Sequence, residues 1–138
     1  MQQAQIQAEL TGLHSPDVYN LAKLRPDGPF GILVQAMVGP RDGDGEESFD
    51  FVLCTPEWFA ANMKEGFIPG RPHLFVRMYS YPDLVKFLSD MCNSCHESSW
   101  SAVAEKIGRI GNRNLEITFH TGSRTKFIEC CLRGGVRA

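Results

Sequence analysis

The stretch that most constrains this chain is Ser48 to Lys64, SFDFVLCTPEWFAANMK, where an apolar strand runs without a loop into a helix whose start is written in its side chains. Phe49, Phe51 and Leu53 alternate with Asp50, Val52 and Cys54, the period of two that sets one face of a strand on a core. The period changes at Thr55. Its hydroxyl is placed to accept from the first unpaired helical N–H groups, Pro56 suits the first helical position because it has no N–H to leave unpaired, and Glu57 lies at the positive end of the helix dipole. Trp58 and Phe59 bring two aromatics onto the next turn. Cys54 aside, the segment holds no nucleophile and no set of metal ligands, so it describes a fold rather than a chemistry.

The same switch of period recurs along the chain. Gln5 to Leu10 alternates polar and apolar as a half-exposed strand, closed by Gly12 and the Ser15-Pro16-Asp17 turn. Residues 17–29 form a connection that Pro26, Gly28 and Pro29 keep from becoming a long helix, with Val18, Leu21 and Leu24 available for one short turn. Phe30 to Val38, FGILVQAMV, is apolar on both alternating faces and so belongs in the centre of a sheet, covered from both sides. Gly39-Pro40 ends it, and the polar Arg41 to Glu47 makes the tip of a hairpin into the opening strand. Leu74 to Tyr79 reads as another strand. Ser80, with Asp83 three residues on, caps a helix whose Leu84, Phe87, Leu88, Met91, Cys92 and Cys95 share one apolar stripe. Ser98 or Ser99 caps a further helix from Trp100 to Gly108, and Leu115, Ile117 and Phe119 alternate as a last strand.

These readings predict one α+β domain: a mostly antiparallel sheet from segments near 4–13, 30–39, 48–54, 73–79 and 113–120, with helices near 55–65, 81–96 and 99–108 packed on one of its faces. A length of 138 residues with 43% hydrophobic side chains suffices for a single core. The charge balance narrows function. Fourteen basic against 16 acidic side chains, net −2, disfavours a dedicated nucleic-acid binder, which needs a basic face to release counterions. The charge is uneven: residues 1–70 carry 4 basic and 10 acidic groups, net −6, and residues 71–138 carry 10 and 6, net +4. No apolar run reaches membrane-spanning length, and MQQAQIQAEL at the start has neither a basic nor an apolar leader region. With five cysteines, an odd number, the expectation is a cytoplasmic chain with reduced thiols.

Several motifs invite chemistry and lack its context. Asp42, Asp44 and Glu46 alternate like the first ligands of a calcium loop, but the sixth position is Glu47 where glycine is needed and the twelfth is Leu53 where a bidentate glutamate belongs. The hairpin tip is then either a solvated turn or an acidic recognition patch. Cys92-Asn93-Ser94-Cys95-His96 matches the attachment pattern of c-type haem and contains the C-x-x-C of redox enzymes. Haem attachment of that kind accompanies export, and redox thiols sit at a helix N-terminus where the dipole lowers their pKa, whereas these sit at a C-terminal end. Zinc would need a fourth ligand from Cys54 or from Cys130 and Cys131, and the spacing supports none. His14, His73, His96 and His120 are scattered without a serine or carboxylate at motif spacing, and there is no phosphate loop or dinucleotide fingerprint. No catalytic residue, cofactor or metal is expected.

Four segments taken in order carry a resemblance: LTGLHSPD at 10–17, the paired glutamates leading into SFDFVLCTPEW at 46–58, LFVRMYSYPDL at 74–84 and SWSAVAEKIGR at 99–109. Together they resemble the Imm8 family of immunity proteins from bacterial polymorphic toxin systems, over residues 8–119. The resemblance implies an α+β domain over 1–120, followed by a tail at 121–138 without counterpart, that acts in the cytoplasm, catalyses nothing, and binds and neutralises a cognate toxin domain. Toxins that act on nucleic acids carry basic clefts, so the expected partner-binding residues are Asp42, Asp44, Glu46 and Glu47 at the hairpin tip. The competing reading is a small redox or metal-binding protein that uses Cys92 and Cys95.

Overall fold

The computed structural model of the chain describes residues 5–68, 70 and 72–114. Strands β1 (Ile6–His14), β2 (Gly31–Pro40) and β3 (Glu47–Cys54) form an antiparallel meander, and β3 passes through Thr55 into helix α1 (Pro56–Asn62). Strand β4 (His73–Phe75) follows, then helix α2 (Tyr81–Asn93), the two-residue strand β5 (His96–Glu97), helix α3 (Trp100–Ile107) and strand β6 (Asn112–Asn114). Along the sheet the order is β4-β3-β2-β1-β5, which sets β2 in the middle, as its two apolar faces require. The outer edge of β3 is shared. Its first half pairs antiparallel with β6 and its second half parallel with β4, because the chain crosses over through α1 before returning beside β3.

Each helix begins where a hydroxyl meets the first unpaired N–H groups. Thr55 Oγ1 accepts from Trp58 N at 3.3 Å, Ser80 Oγ from Asp83 N at 3.4 Å and Ser99 Oγ from Ala102 N at 3.2 Å. Thr55 has a second duty: its hydroxyl also accepts from Phe30 N, 3.2 Å away, so the start of α1 is tied to the start of β2.

The main core lies between one face of the sheet and helices α2 and α3. Ile32, Val34, Ala36 and Val38 of β2 and Phe49, Phe51 and Leu53 of β3 meet Leu84, Leu88 and Cys92 of α2 and Val103, Ala104 and Ile107 of α3. The expectation that all three helices cover one face is corrected: α1 turns back over the opposite face, where Trp58 and Phe59 pack on Val52 and Cys54. Trp58 sits so close to β2 that a Cβ built on Gly31 would lie 2.4 Å from its ring carbons. That face also carries a polar row in register, His14, Gln35, Asp50 and Asn112. Gln35 is fully buried within it, and Ser48 donates to Asp50 at 2.5 Å.

Several element boundaries differ from the sequence reading: helix α1, expected over 55–65, stops at Asn62. The strand expected over 73–79 stops at Phe75; Val76 N still donates to Cys54 O at 2.9 Å, but β3 ends there and Arg77 to Tyr79 have no strand to pair with. The helix expected over 81–96 stops at Asn93, and the chain then turns so that His96 and Glu97 pair with Gln7 and Ile6. Of the strand expected over 113–120 only the start is seen, as β6; residues 115–120 and the segment 121–138 lie outside the described residues.

Candidate partner-binding surface

The tip of the β2–β3 hairpin is built from backbone requirements first. Gly45 has φ +91°, a conformation that L side chains rarely adopt, and a Cβ on Gly39 would meet the Gly45 carbonyl oxygen at 2.2 Å. The turn is closed by Gly43 N donating to Pro40 O at 3.3 Å. It is then fastened to the rest of the molecule at three points. Arg41 N donates to Gln7 O on β1 at 2.8 Å, and the Arg41 guanidinium Nη2 donates to Asn93 Oδ1 at the end of α2, 2.6 Å away. The third tie comes from a β-bulge between Leu10 and Gly12, which offers Thr11 to the hairpin. The Thr11 hydroxyl shares its one proton between the Met37 carbonyl, 3.1 Å away, and the Glu46 carboxylate.

Of the four expected partner-binding residues, three stand together on this tip and in solvent: Asp42, Asp44 and Glu46. Glu47 is placed differently. It is the first residue of β3, and its carboxylate turns toward α3 and β6, where Arg113 grips both oxygens, Nη2 to Oε1 at 2.7 Å, and Trp100 Nε1 donates to Oε1 at 2.9 Å. The Arg113 hydrogen bonds hold the Glu47 carboxyl below the usual glutamate range, against the opposing effect of its burial. Glu47 thus secures the base of the hairpin beneath the exposed acids.

The described cysteines, Cys54, Cys92 and Cys95, are buried. Cys92 is fully buried on α2, and Cys95, just past the helix, is buried with its Sγ directed at the Met91 carbonyl, 3.3 Å away. Burial, with a smaller contribution from Cys95, pushes the Cys92 thiol up to about 12, and burial alone pushes Cys54 to about 11. Both shifts run opposite to what a nucleophilic or metal-binding thiolate needs. Among the described residues no three His, Cys, Asp or Glu side chains converge to hold a metal ion, and no helix is long and apolar enough to cross a membrane. His14 and His96 are exposed, while His73 packs edge-on against Phe59 with centroids 4.8 Å apart; His120 lies outside the described residues.

Sequence reasoning missed a second surface feature. Phe87, read as part of the buried stripe, is 48% exposed, and with Phe75 and Met78 it borders a groove between β4 and the first turns of α2. The cause is where the helices lie. The helix backbones lie nearest β1, so β4 at the far edge of the sheet is only partly covered, while β3 beside it is buried. Helical periodicity gives the stripe but not how far the sheet extends beneath it.

A small α+β protein with a braced acidic hairpin and core thiols is thus the class that fold and surface define. The family model for Immunity protein 8 matches residues 8–116, and the chain belongs to this family, Imm8. No curated protein and no solved structure matches it.

Proposed function

We propose that this chain is a cytoplasmic immunity protein that binds a cognate toxin domain of a bacterial polymorphic toxin system and neutralises it by occupancy, without catalysis of its own. The observation that carries the reading is membership of the Imm8 family over residues 8–116. The contact we assign is the hairpin tip. Asp42, Asp44 and Glu46 extend into solvent on a turn that β1 and α2 hold in place, and Glu47 secures its base. An inhibitor of a basic cleft gains from such an arrangement in two ways. Carboxylates steer encounter over distances of about a Debye length, and a turn already held in one conformation loses little entropy on binding.

The test is kinetic. Reversing Asp42, Asp44 and Glu46 to lysine should slow association with the toxin domain encoded beside the gene by at least about tenfold at low salt and flatten the salt dependence of the rate. Glu47 is left intact in that variant because its loss would disturb the fold. Rates equal to wild type at two salt concentrations would remove the tip from the interface.

A further inference from the structure

The groove beside α2 has a composition that selects its occupant. It encloses about 140 Å³, with Leu53, Leu74 and Leu84 as its floor and Phe75, Met78 and Phe87 along its sides. These last three are 46%, 82% and 48% exposed, an unusual concentration of large apolar side chains in water for one site. The volume is close to the ~150 Å³ that holds a benzene ring, enough for one planar or long side chain. One rim is charged. Asp83, in the first turn of α2, is exposed and makes no ion pair among the described residues, while the neighbouring Ser80 hydroxyl is already engaged as the helix cap.

An apolar channel with aromatic sides that ends at an unpaired carboxylate is complementary to arginine. The aliphatic stem buries against the leucines, the guanidinium plane stacks on a phenyl face, and its fork donates two N–H groups to a carboxylate. A neutral aromatic side chain in the same place would cover Asp83 without supplying a counter-charge, which costs free energy.

We infer that the groove is a second contact for the toxin and receives an arginine side chain from it, with the guanidinium on Asp83. This inference rests on the reading that the chain binds a toxin domain. The groove and the acidic tip lie at opposite ends of α2, whose first turn carries Asp83 and whose last residue, Asn93, holds Arg41. Asp83 and Asn93 are ten helical positions apart, about 15 Å, a separation that one interface of ordinary size can span.

The experiment measures affinity of the toxin domain encoded beside the gene for wild type, Asp83→Asn, Asp83→Glu and Phe87→Ala, and repeats the first two against single arginine-to-alanine replacements in the toxin. Asp83→Asn should weaken binding about 30-fold or more, Asp83→Glu should retain most of the affinity, and one toxin arginine should lose its effect once Asp83 is neutralised. Unchanged affinity in both Asp83→Asn and Phe87→Ala, or additive losses for every toxin arginine, overturns the groove assignment while wild-type binding still stands. Absence of wild-type binding instead removes the functional reading on which the groove depends.

Discussion

Arg113 on β6 closes its guanidinium onto the carboxylate of Glu47 at the first residue of β3, with Nη2 2.7 Å from Oε1. Trp100 of α3 donates to the same oxygen, so one carboxylate joins the hairpin base, a helix and the edge strand. Removing it by Glu47→Ala should cost about 1–2 kcal/mol, the range for a charged hydrogen bond in a partly exposed site. The pH dependence has a definite sign. Because the Glu47 pKa is lowered in the fold, its stabilisation is complete above the ordinary glutamate value and is lost as pH falls through the lowered one. The stability gap between wild type and Glu47→Gln should therefore be full at neutral pH and shrink well below about pH 4, measured by urea unfolding. An equal gap at both pH values would refute the assignment.

A methyl group on Gly31 has no room beneath the Trp58 indole. Gly31→Ala should displace the ring, red-shift tryptophan emission and destabilise the chain by about 1–3 kcal/mol. An unchanged spectrum with unchanged stability would mean that α1 is not held against β2 in this way.

The core thiols provide a further check. Native Cys54 and Cys92 should resist alkylation at pH 8 and react readily in denaturant, since burial raises both thiols to about 11 and 12. Cys92→Ala should cost about 1–2 kcal/mol through lost packing and leave partner affinity unchanged. Stoichiometric zinc in the purified protein, or loss of binding with stability retained in Cys92→Ala, would favour the redox or metal reading instead.

The parts of this fold legible in sequence are those decided within a few residues. Thr55, Ser80 and Ser99 cap helices because each hydroxyl is adjacent in the chain to the N–H it satisfies, and β2 declares its central place through apolar residues on both faces. What was not legible depends on partners far along the chain. Glu47 reads as one more acid of the tip until Trp100 and Arg113 arrive, 53 and 66 residues later. β4 is short because β3 ends at Cys54 and parallel because the chain crosses over through α1, and β5 is two residues long, too short to show a period at all. Phe87 fits the apolar stripe of α2, yet whether it is covered depends on which strands lie under that helix.

Neutralisation by stoichiometric binding, as proposed above, is tested by titrating the purified chain into the toxin domain encoded beside its gene, with heat and residual toxin activity recorded together. The expected result is an equimolar complex, with activity falling in proportion to complex formed and the toxin recovered unmodified after dissociation. No heat with undiminished toxin activity, or loss of activity at far less than one equivalent with the toxin chemically altered, would contradict it.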